Sequence, residues 1–238
     1  MKKAVLIVVA ALLIPCPSLL FGIQDVFDTW QDKHLLSDGK NTILDVPYVQ
    51  TESYIVQEML SLLDLQGSDV LYDLGCGDGR IVIEAVKKKG VRGVGIDIDP
   101  RRIAESRANA NAARVDDRTL FLQQDLFISD FGDATALTLF LLPELNLRLR
   151  PKLFRDLKPG TRIVSHNFNM GDWEPDRTAF AGVWEDGPRY IYFWVLPANI
   201  SGRWQGSYKN DEWMLTIRQR FRRSMGACSS TDRPSSPF

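Results

Sequence analysis

Val70-Leu-Tyr-Asp-Leu-Gly-Cys-Gly-Asp-Gly-Arg80 is the stretch that decides how this chain is read. The apolar run Val70 to Leu74 has strand length and ends in a glycine-rich loop. From Arg80 to Lys89 the apolar residues Ile81, Val82, Ala85 and Val86 recur at helical spacing, and Gly90 supplies the stop. Strand, tight loop and helix together form the opening unit of a sheet that takes its ligand beyond the strand's C-terminal end. Gly75, Gly77 and Gly79 let the backbone turn sharply and come close to that ligand. Their spacing is G-x-G-x-G, whereas the dinucleotide fingerprint is G-x-G-x-x-G, and the position of its last glycine is held by Arg80. Charge separates the two readings further. A pyrophosphate wants bare helix N–H groups, but this loop carries Asp73 and Asp78. S-adenosylmethionine, with a sulfonium, an ammonium and no phosphate, suits two carboxylates.

Further acidic residues fall in step. Asp97 closes the next apolar run, Val91 to Ile98, 24 positions after Asp73, where a carboxylate accepts hydrogen bonds from ribose hydroxyls. Asp125 follows a third run, Thr119 to Gln123, within Gln123-Gln124-Asp125-Leu126. It is placed to accept from an adenine amino group, with Leu126 alongside. Each aspartate alone reads equally well as the cap of a following helix. Three at consecutive strand ends, on one edge of a sheet, favour a ligand site.

Outward from this stretch the alternation continues. Thr51 is positioned to cap a helix carrying Ile55, Val56, Met59, Leu60 and Leu63. Asp99-Pro100 opens a helix to about Ala113; Ala134 to Leu142 and Thr161 to Phe168 read as strands, with a helix from Leu145 to Leu157 between them. Strands alternating with helices predict an α/β fold, a Rossmann-like parallel sheet with helices on both faces. Arg177 to Trp184 and Arg189 to Leu196, joined by Glu185-Asp186-Gly187-Pro188, predict an antiparallel hairpin that closes it. Alternation around Trp213, Leu215 and Ile217 predicts a further strand, and the Ser- and Pro-rich last ten or so residues read as disordered. The implied organisation is a leader at 1–22, a linking segment at 23–44, the main domain at 45–198 and a β-like extension with its tail at 199–238.

The net charge of −1 provides no global footprint for nucleic acid, and neither the three cysteines nor the two histidines have zinc-site spacing. No metal is expected. Lys2 and Lys3 precede the uncharged run Ala4 to Ile14 and the break Pro15-Cys16-Pro17-Ser18, the marks of a secretory signal. An uncleaved membrane anchor is the rival, since the apolar stretch continues through Leu19 to Gly22. Either reading places the domain outside the cytoplasm or on a membrane; a leader left unused would keep it cytoplasmic.

Asp73-Leu-Gly-Cys-Gly-Asp-Gly79 resembles motif I of the class I S-adenosylmethionine-dependent methyltransferases, and VGIDIDP from Val94 resembles their second acidic motif. VPYVQT (Val46 to Thr51), FLLPELNLRLRPKLFRDLKPGTRIVSHNF from Phe140 and GDW (Gly171 to Trp173) resemble, more narrowly, a small protein-lysine methyltransferase family. That family includes archaeal broad-specificity enzymes and the mitochondrial enzyme acting on the ATP synthase c-subunit. The resemblance covers roughly residues 45 to 197. It implies a seven-stranded sheet, S-adenosylmethionine as methyl donor, a protein lysine as acceptor, and a segment containing Tyr48 and Thr51 that folds over the cofactor.

A lysine acceptor has a free pKa of about 10.4 and attacks only when neutral. Glu144 is the nearest candidate base by topology, though a carboxylate there also suits a helix N-terminus. Asn146 either orients substrate or lies on the helix surface, and His166 reads as a satisfied core or rim histidine. Leu141, Leu142 and Pro143, with Tyr48 and Trp173, are candidate apolar walls. Leu142-Pro143-Glu144-Leu145 departs from the Asn/Asp-Pro-Pro-aromatic motif that grips a base amine, which disfavours DNA methylation. A binding module without turnover and a methyltransferase of small molecules remain the alternatives.

Overall fold

The computed structural model describes residues 48–184, 187–208, 211–220 and 223–230. The leader, the linking segment, Glu185-Asp186 of the hairpin turn and the last eight residues lie outside these. Helix α1 spans Ser53–Leu63 and buries Ile55, Val56, Met59, Leu60 and Leu63, one apolar stripe at helical spacing. Strand β1 (Val70–Leu74) is buried at all five positions, as a central strand covered on both faces must be. Helix α2 (Arg80–Lys89) and strand β2 (Arg92–Asp97) follow. Helix α3 (Pro100–Ala112) opens with Asp99 accepting from the Arg101 N–H and proline in the first turn. A short 3₁₀ turn, Asp116–Arg118, leads into β3 (Thr119–Gln123). Strand β4 (Ala136–Leu139), helix α4 (Pro143–Asp156) and β5 (Arg162–His166) precede the hairpin β6 (Arg177–Trp184) and β7 (Gly187–Val195).

The seven strands are ordered β3-β2-β1-β4-β5-β7-β6, and β7 pairs antiparallel with both neighbours. The order reverses between β1 and β4. That switch point opens a crevice beyond their C-terminal ends, where ligands of this architecture bind. A separate antiparallel sheet consists of β8 (Gly202–Tyr208), β9 (Asp211–Arg220) and β10 (Arg223–Ser230). Only β9 was expected from alternation; β8 has two glycines, Gly202 and Gly206, on one face of its pattern, and β10 is a run of small and polar residues.

Register assigns the faces. Leu71, Ala136, Val164, Ile191 and Phe193 join the apolar stripes of α1 and α2 in one core. The alternate positions face α4: Asn146 of α4 donates to Ser165, and Phe154 of α4 stacks on Trp173, which in turn meets Trp194 of β7. Several boundaries differ from expectation: β4 and β5 are shorter than the runs Ala134 to Leu142 and Thr161 to Phe168, and β7 starts at Gly187, inside the expected turn. Thr51 does not cap α1: the helix begins at Ser53, so exposed Glu52 takes the cap position with no side-chain bond, and the Thr51 carbonyl accepts from Arg80 at 3.0 Å. Helix α4 starts at Pro143, two residues before Leu145, since proline is well suited to a first turn.

Candidate functional site

The loop after β1 owes its shape to glycines with positive φ: Gly75 at 82°, Gly77 at 52° and Gly79 at 79°. At Gly79 a Cβ would stand 2.7 Å from the Phe121 ring, so no larger residue fits without repacking α3 against β3. The loop is tied to the neighbouring strand. The Gly75 and Cys76 N–H groups both donate to the Ile96 carbonyl, at 2.8 and 3.0 Å. Asp97 makes the second tie: one carboxylate oxygen accepts from the Gly77 N–H and the other from the Asp99 N–H, each at 2.9 Å. A single carboxylate thus registers both loops at the crevice.

Asp73 lies beneath this loop, 3% exposed, and accepts a hydrogen bond of 2.7 Å from Thr138 of β4. Burial pushes its carboxyl up to about 7, against the Thr138 bond, and the negative charges of Asp97 and Asp78 push the same way. Asp97 is raised as well, first by burial, against the backbone N–H groups it accepts from. The ion pairs among the described residues include neither of them. Two desolvated carboxylates without a cationic partner fit a ligand bearing positive charge, and they repel a pyrophosphate.

Asp78 behaves differently from the expectation that it faces the ligand's charge. It is clamped by Arg80 through three hydrogen bonds of 2.6–3.1 Å. Burial opposes its ionisation, but the Arg80 contacts outweigh burial and hold its carboxyl below the usual range. The same guanidinium bonds the Thr51 carbonyl, so the pair fastens the segment before α1 to the loop. Sequence reasoning treated Arg80 only as a departure from the dinucleotide pattern and missed this role. The Tyr48 ring lies against Gly77, where a Cβ would collide with it, and the Arg102 guanidinium stacks on the ring at 3.8 Å. Burial and then the Asp78 charge push the Tyr48 phenol above its ordinary range. Thr51 is itself buried.

At the exit of β3 the Gln124 N–H donates to the Asp97 carbonyl at 3.0 Å, which sets half-buried Asp125 and Leu126 beside the crevice. One Asp125 oxygen accepts from the Phe127 N–H at 2.8 Å, an Asx turn that leaves the other oxygen for a ligand. The α4 candidates separate. Glu144 is exposed in the first turn, where the helix dipole favours a carboxylate. Asn146 is not a surface residue: it is fully buried, and its amide donates to the Phe168 carbonyl at 3.2 Å, pinning the chain after β5. Trp173 is 1% exposed in the core between α4 and β7, not a pocket wall. His166 is wholly buried, yet neither ring nitrogen has a hydrogen-bond partner, so it is not the satisfied histidine expected. The groups stacked on it are aromatic rings, which offer no strong donor or acceptor. Among the described residues no His, Cys, Asp or Glu cluster is suited to a metal, and no helix is long and apolar enough to cross a membrane.

The family model described as the ANTKMT methyltransferase domain matches residues 73–177. A protein-lysine N-methyltransferase of Saccharolobus islandicus is 44% identical over 154 residues, 63% of this chain and 94% of that protein. The ATP synthase c-subunit lysine N-methyltransferase of Mus musculus is 30% identical over 71% of this chain and 64% of its own length. A crystal structure from Salinibacter ruber, described as an RNA methyltransferase in complex with S-adenosyl-L-homocysteine, is 49% identical with a TM-score of 0.60, covering 64% of this chain and 96% of that one. With the switch-point crevice, the glycine loop and the desolvated Asp73 and Asp97, these similarities settle the assignment. The chain belongs to the protein-lysine N-methyltransferase family of class I S-adenosylmethionine-dependent methyltransferases.

Proposed function

We propose that the chain methylates lysine side chains of a protein substrate. The observation carrying this reading is the 44% identity to the archaeal protein-lysine N-methyltransferase across 94% of that enzyme. When bound, S-adenosylmethionine supplies an electrophilic methyl group on its sulfonium. The chain's own residues hold it: Asp73 takes the ammonium, Asp97 the ribose hydroxyls, and Asp125 with Leu126 the adenine. Positioning then provides much of the rate, because an in-line displacement needs alignment more than acid–base chemistry. Tyr48, clamped over the loop through the Arg80 and Arg102 contacts, keeps water from the cofactor.

The Salinibacter structure's description favours RNA as a second acceptor class. Supporting protein instead are the net charge of −1 and the Leu142-Pro143-Glu144-Leu145 exit from β4. Incubation with labelled S-adenosylmethionine and host extract, followed by separation of protein from RNA and acid hydrolysis, tests the proposal. Methyllysine in the protein fraction is the expected result; label confined to RNA or small molecules refutes it. We further propose that residues 1–22 direct export or membrane attachment, on the strength of Lys2-Lys3 and the apolar run behind them. A fusion of residues 1–30 to a reporter active only outside the cytoplasm should give signal, and silence rejects the idea.

A further inference from the structure

Register carries one face of the sheet from Asp73 to a second polar group. Asp73 pairs with Thr138, and two residues further along the same strands Phe140 stands beside His166 at the end of β5. Their ring centroids are 4.2 Å apart. His166 is two strands from the glycine loop, roughly 10 Å at the usual strand spacing. Trp184 meets the imidazole edge-on at 6.0 Å, and Phe168 stacks on Phe140 at 6.2 Å. Phe140, Phe168 and Trp184 are each partly exposed, whereas His166 between them is 0% exposed. His166 is thus a buried polar group roofed by partly exposed aromatic rings, on the same edge and face as Asp73.

We propose that His166 is the acceptor contact of the methyltransferase: one ring nitrogen accepts a hydrogen bond from the N–H of the incoming uncharged amine, between walls formed by Phe140 and Trp184. The inference rests on the lysine reading and deepens it. A buried imidazole with both nitrogens unbonded destabilises a folded protein, a cost that a packing role alone would avoid with a phenylalanine. Burial, and then the positive charge of Arg189 on β7, lower its pKa to about 4, so the ring keeps a lone pair throughout the physiological range. Arg189 also lies over the Trp184 ring at 4.6 Å, and its charge disfavours an ammonium beside His166. Burial and the Arg189 charge thus favour the amine in its uncharged, reactive form.

The test uses the full chain with labelled S-adenosylmethionine and denatured host protein, scoring methyllysine after acid hydrolysis. His166→Phe keeps a ring for Phe140 and Trp184 but removes the nitrogens. It should lower methyllysine formation at least tenfold while the S-adenosylmethionine Kd moves less than threefold. His166→Gln, which restores an acceptor, should recover part of the loss. Formation by His166→Phe at the wild-type rate overturns the inference and leaves the lysine reading standing. Wild-type protein that makes no methyllysine overturns both. A second measurement does not depend on the variants folding. The sequence has only His34 and His166, so histidine labelled with ¹⁵N gives just two pairs of ring-nitrogen signals, one pair from each imidazole. With S-adenosylhomocysteine bound, n-butylamine at pH 9 should shift the His166 pair, and a pair that stays put refutes the contact.

Discussion

Replacing Asp73 by asparagine should make the cofactor-free protein more stable and the cofactor bind worse. The carboxyl is buried and rises from 3.8 to about 7. That is roughly three units, or about 4 kcal/mol at ~1.36 kcal/mol per unit, for keeping the ionised form inside the fold. The sign follows from the raised pKa. Below about 4 the group is protonated both folded and unfolded, and its full contribution to stability is present. As pH climbs through about 7 that contribution is lost. Asparagine keeps the oxygen that accepts from Thr138 and carries no charge, so it escapes the loss. Relaxation around the site reduces the gain to about 1–3 kcal/mol at pH 8, about 3–10 °C in Tm for a chain of this size. The gap should close on acidification toward pH 4. Calorimetric titration should show S-adenosylmethionine binding ~10–150-fold weaker, the usual worth of a charge-assisted hydrogen bond. In the wild type, binding below pH 7 should release a proton, seen as a dependence of apparent enthalpy on buffer. A variant no more stable than wild type at pH 8, or a gap that persists at pH 4, refutes the reasoning.

Gly77→Ala should weaken S-adenosylmethionine at least tenfold, because its Cβ displaces the Tyr48 ring at a φ of 52°; fluorescence titration checks this. Asp97→Ala removes both the ribose acceptor and the Gly77–Asp99 tie, and should cost about 1.5–3 kcal/mol of cofactor affinity by calorimetry. Glu144→Gln should leave kcat within threefold of wild type, since the carboxylate is exposed; a loss of a hundredfold in steady-state assay would reinstate it as the base. At saturating S-adenosylmethionine, where the bound cofactor keeps Asp73 ionised, kcat should rise toward the acceptor amine's effective pKa with no inflection from His166 between 6 and 7, because His166 titrates near 4.

Local pattern was enough for the fold class. Helical spacing in α1 and α2, the strand–helix alternation and the glycine loop each involve residues a few positions apart, and their physical consequences do not depend on the rest of the chain. For the same reason the helix bounds Arg80–Lys89 and the strand bounds Thr119–Gln123 coincide with the structure. The ends of α4 and the strands β8 and β10 were less legible, because proline tolerance and small polar residues leave the period undefined. What only the tertiary structure decided is which charges are neutralised. Asp73 and Asp78 look alike in the loop, but Arg80 is bent onto Asp78 and the Thr51 carbonyl, 29 residues away, so Asp78 becomes a fastener and Asp73 is left buried and without a cation. Likewise nothing around His166 in the chain tells that β4 and β6 enclose it in carbon rings. Burial and pairing depend on what distant segments bring within a few ångströms, and sequence spacing carries no record of that.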